Sequence, residues 1–364
     1  MKARRVLAFA RKEVLEISRD RFTMGVALLM PLMMLFLFVY GISLDVDRAP
    51  LIVVDHDRTA ASRELQARFL NSGYFILQAA PEDERSAEHA LMRGTARAAL
   101  FIPPGFSGRL GRGEDAPVQF VVDGTYASTA AILSAYGRAI LHAYPEEVRL
   151  PLRPEVRVWY NPQLRSRNFI VPGLFAVILM AFPPLLTALA VAREKELGTI
   201  AQIYASPLTG SEFIAGKLLP YAVIAYAELL LVVFGGVVWF EVPVRGSVGL
   251  LLAVGLLYVL CTVSIGLLVS TLVRTQLAAM LTALIVTLMP AFLFSGFVYP
   301  LFTMPPAFQA YASALPTRYF LEFSRGVVLR GAGLGDLWPN VLVLAAYTAT
   351  VFALAAWRFR KRIA

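Results

Sequence analysis

A single carboxylate, Glu228, stands inside the apolar run Ala225-Tyr226-Ala227-Glu228-Leu229-Leu230. At bilayer depth such a group costs at least about 2.5 kcal/mol on insertion scales, so it must face a protein interior or a wet cavity. Two readings stay open. Glu228 lines a solute path or holds a cation or proton; or it is protonated, or hydrogen-bonded to Tyr226, Thr262 or a second copy of the chain. Asp55-His56-Asp57 has the residue types of a metal site. Alternation along a strand sends consecutive side chains to opposite faces, however. The triplet reads as a strand end leading into a helix cap, and no metal site is expected.

Other chemistries lack their residues. A phosphate-cradling loop needs Gly-x-x-x-x-Gly-Lys and then Ser or Thr, so that backbone amides, lysine and a metal-binding hydroxyl converge. The string Gly210 to Gly216-Lys217-Leu218 has one residue too many and Leu in place of the hydroxyl. No Gly-x-Ser-x-Gly elbow occurs, and the one cysteine, Cys261, lies in an apolar run as a packing residue. No catalytic residue and no cofactor of the chain's own is expected.

The elements that must position Glu228 follow from composition. The 364 residues are 58% hydrophobic and 16% charged, against about 45–50% apolar and about 25% charged in ordinary soluble domains. That surplus excludes most soluble enzymes and disordered chains. The net charge of +9 could suggest nucleic acid, but the excess sits at the two chain ends beside long apolar runs. No nucleic-acid partner is expected.

A helix of about 20 apolar residues crosses a bilayer. Six stretches qualify, near 22–44, 168–191, 218–240, 248–272, 277–298 and 339–357. Pro290 falls inside the fifth, where neighbouring helices can satisfy the freed carbonyl. Residues 1–21 carry Lys2, Arg4, Arg5, Arg11, Lys12, Arg19 and Arg21; the tail 358–364 carries Arg358, Arg360, Lys361 and Arg362. Basic flanks mark the cytoplasmic side, so both termini are expected there. Loops 45–167, 241–247 and 299–338 then face outward, and 192–217 and 273–276 inward. Glu13, Glu16 and Asp20 in a long leader argue for an uncleaved anchor over a signal peptide. Residues 2–21, with Val6, Leu7, Phe9, Ala10, Val14 and Ile17 among the charges, read as an amphipathic helix on the membrane surface, in contact with lipid headgroups.

The segment 45–167 holds 15 acidic and 15 basic residues and reads as a folded α/β domain. Expected strands are Leu51–Val54, Tyr74–Leu77, Ala98–Ile102, Val118–Val122 and Val156–Tyr160. Expected helices are Thr59–Leu70, Glu82–Met92 and Ser128–Tyr144. In 300–335 the spacings Arg318–Glu322 and Glu322–Arg325 suggest ion pairs along a surface helix. Leu315, Tyr319, Phe320 and Phe323 would rest on the spans or the outer leaflet.

The inward loop is the richest segment. In Arg193-Glu194-Lys195-Glu196-Leu197-Gly198-Thr199-Ile200-Ala201-Gln202-Ile203-Tyr204-Ala205, Leu197, Ile200 and Tyr204 make one apolar face, with Glu194, Lys195 and Gln202 off it. This predicts a short amphipathic helix over 193–205. Ser206-Pro207 ends it, and Thr209 with Glu212 forms a capping box for the next helix.

Arg-Glu-Lys-Glu-x-Gly-Thr, then Ser-Pro-Leu-Thr, then Gly216-Lys217-Leu218-Leu219-Pro220-Tyr221, resembles the permease subunit of ABC-2 type exporters. Leu315-Pro316-Thr317-Arg318-Tyr319-Phe320 through Arg325-Gly326 adds to the likeness, which covers the whole chain. The large loop between the first two spans matches the subgroup with an extracytoplasmic domain there. The resemblance implies a helical membrane protein of six spans in a bacterial inner membrane. It implies a cytoplasmic coupling helix whose Arg193, Glu194, Lys195, Glu196, Gly198 and Thr199 meet a separate ATPase subunit. ATP and Mg would be bound by that partner. It also implies a second permease subunit, the same or different, and an amphipathic cargo such as a drug, lipid or glycolipid, with short outer helices closing the mouth of the path. Whether the outer domain meets a periplasmic adaptor protein stays open. The rival readings are a membrane-anchored ligand sensor using 45–167, and an ion-coupled transporter using Glu228.

Overall fold

A computed structural model describes residues 3–41, 48–81, 83–93, 95–123, 127–144, 161, 165–199, 209–301 and 304–358. The chain divides into two compact units, Met1–Ser43 with Trp159–Ala364, and Leu44–Val158.

The first unit is helical. Among the described residues it contains six helices long and apolar enough to cross a membrane: Thr23–Gly41, Ser166–Glu196, Glu212–Trp239, Val248–Leu272, Gln276–Phe294 and Leu334–Arg358, here spans one to six. All six fall where the apolar runs predict them. Span two is the hub, with Ile170, Val171 and every residue from Leu174 to Ala181 buried. It carries Pro183 and Pro184 without breaking. Span four crosses it at that point, where a Cβ on Gly266 would lie 2.3 Å from the Pro184 carbonyl oxygen. Only a residue without a side chain allows that approach. In span five the helix widens to a π-turn over Leu284–Leu288 just before Pro290. Across it the Met289 N–H donates to Leu284 O, and such a widened turn is a recurrent feature where a helix departs from straight α geometry.

Between spans five and six lie the helices Pro306–Ser313 and Pro316–Arg325. Leu315, Phe320 and Phe323 are buried, as their spacing predicts. Tyr258 of span four stacks on Phe320 at 4.3 Å and donates its hydroxyl to Ala176 O at 2.9 Å. The expected Arg318–Glu322 and Glu322–Arg325 ion pairs do not form. Arg325 turns inward instead and donates to Phe169 O, Gly296 O and Phe297 O, its guanidinium 3.6 Å from the Phe169 ring centroid. Arg318 donates to Ser313 Oγ. Gly296 and Phe297 follow the end of span five, where carbonyls lack helical partners, and a planar five-donor group can satisfy several carbonyls at once.

Among its described residues the second unit holds a four-stranded sheet in the order β2-β1-β3-β4, with β1 Ala49–Asp55, β2 Phe75–Ala79, β3 Ala98–Ile102 and β4 Gln119–Val122. β1 pairs in parallel with β2 and β3, and β4 is antiparallel to β3. The unbroken run Leu51-Ile52-Val53-Val54 suits a strand covered on both faces. Leu51 and Val53 pack with Leu65, Phe69 and Leu133; Ile52 and Val54 pack with Ala87 and Ala99. The helices Ala60–Asn71, Glu84–Met92 and Ala127–His142 match expectation, while the short helix Phe106–Gly111 was not foreseen. The expected strand Val156–Tyr160 lies outside the described residues.

Candidate functional site: a buried charge cluster at the ends of spans two and three

The N-terminal helix Ala3–Arg19 is amphipathic, but its inward face is not purely apolar. Ala10, Glu13 and Ile17, at spacings of three and four, are all buried. Leu7, Val14 and Leu15 stay exposed. One face packs on the start of span three, with Phe9 and Phe213 rings 5.2 Å apart.

That packing carries Glu13 to Lys217. Lys217 is 1% exposed, and its ammonium lies 3.1 Å from Glu13 Oε1 and 2.8 Å from Glu194 Oε1. Lys12 adds a second cation, 3.3 Å from Glu194, 3.4 Å from Glu13 and 2.9 Å from Glu16. Two ion pairs flank the cluster, Arg193–Asp20 at 3.0 Å and Arg5–Glu212 at 3.8 Å. Burial raises the Glu13 carboxyl above the ordinary glutamate range, against the pull of Lys217. Burial opposes the Lys12 charge, but Glu16, Glu13 and Glu194 outweigh it and hold the ammonium above the ordinary lysine range. Glu13, Glu16 and Glu194 bring carboxylate oxygens within 4.8 Å of one another, but Lys12 and Lys217 already supply the positive charge there.

Such an arrangement binds three separate stretches of chain by charge. Removing one partner of a buried ion pair leaves an uncompensated charge, typically at 3–5 kcal/mol. The cluster thus fixes the N-terminal helix to the ends of spans two and three, from which the loop 197–209 departs.

The residues singled out in 193–199 do not share one helix over 193–205. Span two continues through Glu196 and stops, because Gly198 adopts φ +74°, a left-handed C-terminal turn that glycine takes without strain. Residues 200–208 lie outside the described residues, so the expected apolar face of Ile200 and Tyr204, and the Ser206-Pro207 stop, do too. Arg193 is exposed and paired with Asp20. Glu194 is buried, which corrects its place on a partner-facing surface; helix phase turns it toward Lys217. Lys195 donates to Ser270 O and Val273 O at the end of span four. Glu196 accepts from the Gln276 backbone N–H at 2.7 Å. Thr199 donates to Glu194 O at 3.3 Å. Gly198 and Thr199 are exposed, as is Leu197. The Thr209–Glu212 capping box forms as expected, with both reciprocal bonds present.

Sequence reasoning missed Glu13 as a site residue, and Lys217 entered only within a motif. The signal for both was present: a charge on the Ala10/Ile17 face of one helix, and a lysine inside the apolar start of another, each needing a partner.

Glu228 is fully buried in span three. Among the described residues neither carboxylate oxygen has a hydrogen-bond partner. Thr262 donates instead to Val259 O, so the expected alternative of a bond from Tyr226 or Thr262 is not realised. Burial within one chain also removes it from contact with a second copy. At Asp55-His56-Asp57, Asp55 accepts from the backbone of Asp57 and Arg58 and from Ser62 Oγ. Asp57 accepts from Thr59 Oγ1 and Ser107 N. Both carboxylates are consumed as strand-end and cap acceptors.

Over residues 21–357 the sequence matches the family described as ABC-2 family transporter protein. It is 32% identical over 371 residues to the "Probable multidrug ABC transporter permease YbhR" of Escherichia coli K12, covering 99% of each chain. It is 32% identical over 369 residues to the "Probable multidrug ABC transporter permease YbhS" of the same organism, covering 99% of this chain and 97% of the other. It is 29% identical over 329 residues to the "Inner membrane transport permease YhhJ" of that strain, covering 86% of each.

Proposed function

The chain belongs to the ABC-2 family of transporter proteins, an ABC transporter permease of several membrane spans, and from that premise we propose that it is the membrane-spanning subunit of an ATP-driven exporter. Its cargo is amphipathic, a drug, lipid or glycolipid, moved outward from the cytoplasm or inner leaflet. The observation that carries this reading is the end-to-end similarity to two chains whose names call them multidrug permeases. ATP and Mg are held by a separate ATPase subunit, and two permease subunits complete the path in the bacterial inner membrane. Both chain termini are cytoplasmic, and the α/β unit stands on the outer side, where an adaptor protein could dock.

In this mechanism the ATPase subunit grips the inward loop at the exposed residues Glu196, Gly198 and Thr199 and the segment up to 205. Motion of the ATPase pair enters spans two and three through the Glu13–Lys217–Glu194 cluster, and the spans shift as packed bodies between inward and outward openings. ATP drives that change only if its contacts differ between the two states. The short outer helices Pro306–Ser313 and Pro316–Arg325 close the outer mouth. Glu228, buried without a partner, is placed by this reading beside the path. The same observation supports the second reading, an ion-coupled transporter, whereas a sensor anchored by spans needs neither the cluster nor Glu228.

The test is purification of the tagged full-length chain from its own membranes in mild detergent. The exporter reading expects a stoichiometric soluble subunit with a Walker motif and ATPase activity, lost on Leu197→Arg at the exposed end of span two. A folded chain with no partner and no ATPase would overturn it.

A further inference from the structure

A recess of about 490 Å3 is lined by Lys195, Thr271, Leu272, Val273, Arg274 and Arg358. We propose that it binds the phosphate group of an anionic phospholipid. Among the described residues three cations line it and no carboxylate does. The nearest acid in sequence, Glu196, has an oxygen engaged by the Gln276 backbone and side-chain amides. Among the described residues, Arg274 and Arg358 have no ion-pair partner. Like charges gathered in one recess repel one another, so the arrangement favours an anion between them.

The donors are built to hold one. Two of the three Lys195 N–H groups are used on Ser270 O and Val273 O, which anchors the ammonium at the end of span four and leaves a third donor free. Each guanidinium offers a planar fork that matches two phosphate oxygens. The position selects the source. Lys195, Leu272 and Arg358 stand at the C-terminal ends of spans two, four and six. Even-numbered spans end on one side of the bilayer, so the recess lies at headgroup level. Leu272 in the lining is 61% exposed, and Trp357 beside Arg358 is 64% exposed. Apolar and indole surface at that level suits acyl chain and interface, not a free phosphate ion. Basic pockets between span ends are a recurring form of headgroup recognition. The inference needs only the membrane spans and is independent of whether the chain exports anything.

The experiment titrates the full-length chain in maltoside detergent with dioleoyl-phosphatidylglycerol or dioleoyl-phosphatidylcholine and counts bound lipid by native mass spectrometry. Wild type is expected to retain the anionic lipid on the order of tenfold better than the zwitterionic one. Arg274→Gln with Arg358→Gln removes that preference, while Arg274→Lys with Arg358→Lys keeps most of it. Elution volume and melting temperature check the fold of the variants; should the double glutamine variant not fold, each single one is expected to lose part of the preference. Equal retention of phosphatidylglycerol by wild type and folded glutamine variants overturns the proposal. So does displacement of the lipid by millimolar inorganic phosphate, which would assign the recess to a soluble anion. Expulsion of the lipid when an ATPase subunit binds, with the arginines then shielded, would assign it to a protein carboxylate and also overturns it.

Discussion

Lys217, at the start of span three, lies 3.1 Å from Glu13 in the N-terminal helix, although 204 residues separate them in sequence. Both side chains are 2% exposed, and Glu194 from the end of span two approaches the same ammonium at 2.8 Å. One buried cation thus holds together three stretches that meet nowhere along the chain.

Lys217→Met leaves Glu13 and Glu194 facing each other with only the half-exposed Lys12 between them. Destabilisation of about 3–5 kcal/mol is expected, read as a large fall in melting temperature of the detergent-solubilised chain. Glu13→Gln together with Lys217→Met removes a charge from each side and should recover part of the loss. Equal melting of wild type and Lys217→Met would show that the cluster holds nothing.

Asp20 gives a pH dependence of defined sign. The Thr23 backbone N–H, the Thr23 hydroxyl and Arg193 hold its carboxyl below the ordinary aspartate range. A lowered folded value means the stabilisation is fully present above the unfolded value of about 3.9 and is lost as pH falls through the folded one. The melting-temperature gap between wild type and Asp20→Asn should therefore be open at pH 6 and close progressively below about pH 4. A gap that widened on acidification would contradict this assignment.

Glu228→Gln keeps the shape of the side chain and removes its charge. Since neither oxygen has a partner in the described structure, the variant should insert and melt like wild type or slightly higher. If Glu228 serves the path, ATP-driven uptake of a cationic dye into everted vesicles should fall several-fold. Unchanged uptake with normal assembly would remove any role for the charge.

Gly266→Leu forces a side chain onto the Pro184 carbonyl, where even a Cβ would sit at 2.3 Å. Backbone cannot step aside as a flexible side chain can. Overpacking of this kind costs about 1–3 kcal/mol or more, and the expected result is low membrane yield and a lowered melting temperature. Gly249→Leu, with only Ser247 Oγ near at 3.7 Å, is the tolerated control.

The sequence by itself determined the elements with a strong local cause, though not the short helix Phe106–Gly111. A segment in lipid must satisfy its own backbone, so each apolar run reports a helix on its own. All six spans were legible for that reason. The same holds for the doubly covered strand Leu51–Val54 and for the Thr209–Glu212 box, where the bonding groups lie three residues apart. Tertiary structure alone decided what depends on partners far away in sequence. It turned Glu194 inward to Lys217, sent Arg325 to three carbonyls instead of Glu322, and left Glu228 without a donor. It also gathered Lys195, Arg274 and Arg358 around one recess. Periodicity tells which face of a helix is apolar, but not which neighbour that face will meet. For a charged residue in a bundle the neighbour sets both its energy and its role.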